Sequence, residues 1–229
     1  VGGDGMINRV LNGIVDTDNI LGYIPFGTGN DLNRTVNKSL KEGINNVDII
    51  SINNKYFINV ACFGIDAKIA NDERLIHNKI IPSSQRYNVS ALSHFLSFKP
   101  MEFEVVVNDE VREGKFTTIA ACNANYYGGG YNIAVNADIQ DGLMDIYLVD
   151  KLRKLQMAKT ILAMKNGNHE NMDGVEIIRA KKLLLFSKEL LKANIDGEVI
   201  EDTRFNLKVL HNKVKLNKDE DLIKRVYRR

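Results

Sequence analysis

Cysteine is scarce: Cys62 and Cys122 are the only two in 229 residues, so a disulfide framework cannot be the basis of the fold. Two free thiols suit a reducing compartment. Long apolar runs are missing too. Stretches such as Leu183–Phe186 fall far short of the ~20 residues that cross a bilayer as a helix. No sign of charge dominates, since 31 Lys and Arg stand against 29 Asp and Glu, a formal net charge of +2. That weakens a nucleic-acid reading, which wants a strong basic excess on one face. The locally basic stretch from Lys213 to Arg229 reads as a solvated terminal helix. The four histidines, His77, His94, His169 and His211, form no spaced pair, so a zinc site has no support. There is no initiator Met and no basic-then-apolar leader. The chain opens on Val1-Gly2-Gly3-Asp4-Gly5, mid-way through a strand-to-loop junction, which implies sequence upstream.

What is present is the make-up of a folded chain, with 44% hydrophobic and 26% charged residues. The length fits one large domain or two small ones. Ile7, Val10, Leu11, Ile14 and Val15 are spaced as one face of a helix over 6–16. Leu21–Pro25 reads as a buried strand, and a helix is expected after the loop at 27–31, broken near Asn45-Asn46. Val47–Ile52 and Tyr56–Cys62 flank Asn53-Asn54-Lys55 as a hairpin. Ile65–Leu75 and Gln85–Phe98 look helical. Beyond Met101 the pattern is mostly strand, interrupted by a helix over Leu152–Met164 and closed by one over Asp219–Tyr227. The order implies part of an open α/β domain followed by an antiparallel β-sandwich-like domain with a few helices.

Two glycine-rich, acid-bearing loops carry the chemistry. Gly2-Gly3-Asp4-Gly5 and Pro25-Phe26-Gly27-Thr28-Gly29-Asn30-Asp31 each stand between a strand and a helix. Such loops meet in the ligand crevice of open α/β sheets. Glycine lets backbone N–H groups approach phosphate oxygens, and a helix N-terminus favours anions. Carboxylates at Asp4 and Asp31 make sense beside phosphate if Mg²⁺ lies between. A metal–nucleotide phosphate site is the reading, although either loop alone is more often a plain turn.

Gly2–Gly5 followed by a helix, then Pro25–Arg34 (PFGTGNDLNR), resembles the diacylglycerol kinase catalytic-domain family, which includes bacterial lipid kinases and sphingosine kinases. The resemblance continues through Val47-Asp48-Ile49, Tyr56-Phe57-Ile58-Asn59, Gly64, Asp141–Asp145 and Asp196-Gly197-Glu198, over essentially the whole chain. It implies ATP and Mg²⁺ as cofactors and a lipid hydroxyl as acceptor, diacylglycerol first. Gly2, Gly3 and Gly5 then shape the loop over the phosphates, and Gly27, Thr28 and Asn30 form the second loop. Asp4, Asp31 and Asp48 match the acidic network around Mg-nucleotide, converging with Asp196 on one cleft. Asp196 matches the general base, with Glu198 beside it. Asp138, Asp141 and the Leu143 carbonyl match a second, structural Mg²⁺ site.

The same resemblance divides the chain into residues 1–55 (the C-terminal part of the nucleotide domain), 56–216 (a β-rich lipid-kinase domain) and 217–229 (a helix packing back on the first). The missing apolar span, the balanced charge and the free cysteines suggest a cytoplasmic protein that meets its lipid at the membrane's inner face, with no nucleic-acid partner, and leave a homodimer open. Tyr87–Phe98 carries an apolar face suited to a bilayer or acyl chain, or to plain core packing. Met6 stands where the family usually has Thr. The alternatives are a kinase of a soluble substrate, resembling NAD kinases, and a non-catalytic lipid- or nucleotide-binding relative.

Overall fold

The structure of the chain, a computed structural model, describes residues 1–26, 29–64 and 100–227. Gly27, Thr28, the two helices expected at 65–75 and 85–98, and the apolar face of 87–98 lie outside them. In chain order the described elements are α1 (Asp4–Ile14), β1 (Ile20–Gly22), α2 (Asp31–Ser39), β2 (Gly43–Ile52), β3 (Lys55–Phe57), β4 (Val60–Gly64), β5 (Met101–Val107), β6 (Glu110–Cys122), β7 (Tyr126–Tyr127), β8 (Tyr131–Asn132), β9 (Met144–Asp150), α3 (Lys154–Met164), β10 (Val175–Ala180), β11 (Lys182–Ile195), β12 (Glu198–Lys218) and α4 (Glu220–Tyr227).

Among the described residues sheet outweighs helix. Strands run in the order β10-β9-β6-β4-β11-β12-β2-β3, with β5 pairing β6 and β11. Every pair among these is antiparallel. Among the described residues parallel pairing occurs where β1 joins the end of β12 and where Gly2 bridges Pro25. The alternating pattern of β5 and the long β12 turns one side of each strand inward, as a half-buried pleated strand requires. Phe63 and Phe205 meet edge to face in the main core, with centroids 5.0 Å apart. A second core lies where Ile7 and Leu11 of α1 and Leu32 and Val36 of α2 cover Val47, Ile49, Val214 and Leu216. The sheet therefore runs on beneath both helices. The start of α4 is tied back to the front by Lys218 Nζ on the Leu40 carbonyl and by Glu42 on the Glu220 N–H.

Three departures from the sequence reading share one cause. The helix after the second loop ends at Ser39, and the Asn45-Asn46 patch belongs to β2, paired with Leu216 and Lys215. The strand expected over Tyr56–Cys62 is interrupted at Ile58 and Asn59, whose N–H groups donate to the Asp196 side chain instead of a neighbouring strand. The two strands expected over 205–210 and 213–216 are one, with a register shift between Leu210 and Val214 where the Asn212 N–H donates to Asp48. In each case a side chain or a distant strand overrides the local pattern.

Gly64 ends β4 with φ at +100°, and a Cβ there would lie 2.7 Å from the Thr117 carbonyl oxygen on β6. Backbone strain and a clash against backbone cannot both be relieved by a rotamer change. Gly64→Ala is expected to cost about 3 kcal/mol, read as a lower urea midpoint at unchanged slope.

Candidate active site

The chain N-terminal to β1 turns into α1 at Gly3, whose backbone is extended, and no side chain caps the helix. Its first residues line a cleft of about 460 Å³. Gly3, Asp4, Gly5 and Met6 form one wall, Gly29 and Asp31 a second, Tyr126–Gly129 a third, and Asn59, Asn194, Asp196 and Gly197 the floor. Three larger hollows lie elsewhere, at about 490, 540 and 790 Å³, but none of them includes the glycine loops.

Asp4 does two things at once. Its Oδ2 and Oδ1 accept the N–H groups of Asp31 and Leu32 at 3.0 and 3.2 Å, capping α2 from outside. The N-terminus of α2, expected to receive phosphate, is partly spent on a carboxylate, and α1 supplies the open one. The fit is close: a Cβ on Gly29 would sit 2.9 Å from Asp4 Oδ2. Asp31 is buried, accepts the Gly129 N–H at 2.8 Å and pairs with Arg34 Nη1 at 3.0 Å. Arg34 also donates to the Gly29 carbonyl. Burial above all raises the Asp31 carboxyl, and the Asp4 charge adds to it, against the pull of Gly129 and Arg34. Two carboxylates this close at the mouth of a glycine-walled cleft fit a cation. Among the described residues no group of three or more His, Cys, Asp or Glu gathers, so further oxygens would have to come from phosphate or water.

Asp196 occupies the left-handed region, with φ at +50°, at the β11–β12 turn. Its side chain is buried and reaches into the gap between β3 and β4. Oδ2 accepts Ile58 N–H at 2.8 Å and Asn8 Nδ2 at 3.3 Å; Oδ1 accepts Asn59 N–H and Val60 N–H, both at 3.0 Å. Those four donors match the four lone-pair positions of a carboxylate. Burial pushes its pKa up to about 6, and the four hydrogen bonds hold it from going higher. Asn59 is buried on the cleft floor, and its Oδ1 has no hydrogen-bond partner. Such a group is explained by water or by a ligand.

The remaining expected residues lie apart from the cleft wall. Asp48 is fully buried in a junction: Oδ2 accepts Gly142 N–H at 2.6 Å, and Oδ1 accepts Asn212 N–H at 2.6 Å and meets His211 Nδ1 at 2.8 Å. It ties the 138–143 loop to β12, so three of the four expected acids meet and Asp48 does not join them. Glu198 points to the surface, bonded to Arg9 Nε of α1 at 3.0 Å. Asp138 accepts the Gln140 N–H, and Asp141 takes the Leu143 N–H and an Arg179 guanidinium that also reaches Asp145. Burial raises Asp145 to about 6 despite that guanidinium. Arg179 thus supplies the counter-charge in this loop, and Asp138, Asp141 and Leu143 as arranged do not fit a metal. Gly2 is held in its bridge to Pro25, and Asn30 precedes α2 in the left-handed region.

Sequence reasoning missed the asparagines. Asn8 and Asn12, one helical turn apart, both donate to the Tyr56 carbonyl, and Asn12 Oδ1 takes the Tyr56 N–H in return. Asn123 donates to the Asp48 and Ile58 carbonyls. The i, i+4 pair of amides on an otherwise apolar helix face was the available signal.

Residues 59–217 match the family model described as YegS C-terminal NAD kinase beta sandwich-like domain, and residues 1–60 match the diacylglycerol kinase catalytic domain. The chain belongs to the diacylglycerol-kinase-like lipid kinase family. Members are phosphotransferases with an alcohol acceptor. A candidate lipid kinase of Staphylococcus carnosus (strain TM300) is 29% identical over 94% of this chain and 74% of its own. The diacylglycerol kinase of Bacillus subtilis (strain 168) is 28% identical over 86% and 69%. The crystal structure of a candidate diacylglycerol kinase from Bacillus anthracis str. Sterne superposes with a TM-score of 0.75 at 20% identity, covering 95% of this chain and 74% of that one. That likeness places the β-sandwich-like fold on a solved example. No described helix is long and apolar enough to cross a membrane.

Proposed function

We propose that this family member transfers the γ-phosphate of ATP to a lipid hydroxyl, with diacylglycerol the first candidate. The observation that carries the reading is the meeting, on one cleft, of the uncapped α1 N-terminus, the Asp4–Asp31 pair and the buried Asp196. Asp4 and Asp31 would hold Mg²⁺, which when bound neutralises phosphate charge. The N–H groups that open α1 bind the phosphates. Asp196, ionised above its raised pKa, accepts the proton of the lipid hydroxyl as that oxygen bonds to the γ-phosphorus and the bond from the γ-phosphorus to the β-phosphate oxygen breaks, releasing ADP. Of its four donors the Asn8 amide, at 3.3 Å, is the most distant and the one that a hydroxyl can replace. Asn59 offers the ligand an uncommitted acceptor.

Asn59→Ala is expected to raise the KM for the lipid about tenfold, the worth of one hydrogen bond of about 1.4 kcal/mol, with the melting temperature nearly unchanged. An unchanged KM removes Asn59 from the binding site. The reading as a whole is tested by incubating the protein with ATP labelled at the γ-phosphate, Mg²⁺ and detergent-dispersed diacylglycerol, alongside NAD and sugars. Label in the lipid fraction is expected. Label only in a soluble acceptor would favour the NAD-kinase-like alternative, and no transfer with no heat on titrating Mg-ATP would mark a non-catalytic relative.

A further inference from the structure

Helix α3 is unusual for a surface helix, because it is apolar on both sides. Met157 and Thr160 are buried beneath it. On its outer side Leu155 and Leu162 are 69% and 72% exposed. They lie seven residues apart, with Lys159 between them on the same face. An outer face is normally polar, so two leucines this exposed on one short helix mark a surface that something covers.

The charge around them says what kind of thing. Lys151, Arg153, Lys154, Lys159 and Lys165 are all exposed, and there is no Asp or Glu from 151 to 169. None of the five is ion-paired with a described residue. A second copy of the same face would bring five cations against five, which disfavours self-association. Leucines flanked by unpaired Lys and Arg match the boundary of a bilayer with anionic headgroups, where apolar tips enter the acyl region and cations meet phosphate.

The position is also suitable. Met164, at the end of α3, packs against the cluster of Val60, Tyr127, Ile133 and Tyr147. Tyr127 in turn lines the cleft. The helix and the cleft therefore share one hydrophobic cluster.

We infer that α3 is a membrane-docking surface, placing Leu155 and Leu162 in an anionic bilayer beside the substrate cleft. The choice of a bilayer rests on the lipid-kinase reading, but the test does not require catalysis. Sedimentation with vesicles of phosphatidylcholine mixed with phosphatidylglycerol should capture the wild-type protein, and vesicles of phosphatidylcholine alone should capture far less. Leu155→Ser with Leu162→Ser should weaken capture about a hundredfold, roughly tenfold per leucine withdrawn from the bilayer. Lys151→Gln with Lys154→Gln and Lys159→Gln should reduce capture about fivefold per charge and remove the preference for anionic lipid. The substituted side chains are exposed, so melting temperatures should hold. Absent binding by the wild type, or binding indifferent to both sets of changes, overturns the inference. So does a leucine-dependent dimer in sedimentation velocity, which would make a second copy the occupant. Leucine-dependent binding without phosphorylation of a soluble short-chain diacylglycerol would keep the docking surface and remove the kinase reading.

Discussion

Asp196→Ala should destabilise the protein by about 3–5 kcal/mol, because it strands the buried N–H groups of Ile58, Asn59 and Val60 at once. Asp196→Asn is the gentler change and the more informative one. It keeps one oxygen to accept but turns an amide N–H towards donors, so a loss of about 2 kcal/mol is expected. If the carboxylate also takes the substrate proton, turnover in Asp196→Asn should fall about 10²–10⁴-fold while the protein stays folded. The pH dependence separates the two roles. A base must be ionised, so wild-type kcat should rise with pH through about 6, the value to which burial lifts Asp196. The stability sign is opposite. The folded carboxyl binds a proton more tightly than the unfolded one, whose value is 3.8. Stability is therefore lost as pH rises from about 4 through about 6, and is level above that. Asp196→Asn should lack both features. Full turnover in Asp196→Asn, or a wild-type kcat that is flat across this window, removes the base and leaves a structural clasp.

Asp4→Ala should be the second most damaging change, and its damage should fall on nucleotide binding. The loss of two acceptors for the N–H groups of Asp31 and Leu32 costs about 1–2 kcal/mol, as for other helix caps. Half of the acid pair that fits a cation is lost with it. Turnover is expected to fall about 10³-fold, and calorimetric titration with Mg-ATP should show little heat. Asp31 should also become easier to ionise, since the Asp4 charge no longer opposes it. Normal turnover in a folded Asp4→Ala protein would mean that the phosphates bind elsewhere.

Much of this site was legible because glycine loops between strand and helix have few structural solutions. Gly3, Asp4, Gly5, Asp31 and Asp196 do line one cleft. The β-rich body was equally readable, since alternation in β5 and β12 follows the pleat. What local pattern could not supply was the partner of each acid. Asp48 has the same residue type and a similar strand setting as a phosphate-site acid, yet its carboxylate is committed to Gly142, His211 and Asn212, as many as 164 residues away in sequence. Glu198 lies two residues from Asp196, but the left-handed turn at Asp196 and Gly197 breaks the strand between them, and Glu198 meets Arg9 at the surface. Arg179 was invisible as a competitor for Asp141, because β10 reaches β9 only through sheet pairing. The same long-range pairing turned an asparagine-rich patch into strand.

The most direct test maps nucleotide onto the backbone. Amide resonances of the protein should be followed by NMR while ATP with Mg²⁺ is added. The largest shifts are expected at Gly3, Asp4, Gly5, Gly29 and Gly129, with the amides of Gln140, Gly142 and Leu143 nearly unmoved. Shifts centred on the 138–143 loop, with the α1 N-terminus undisturbed, would contradict the placement of the phosphates on which the whole reading depends.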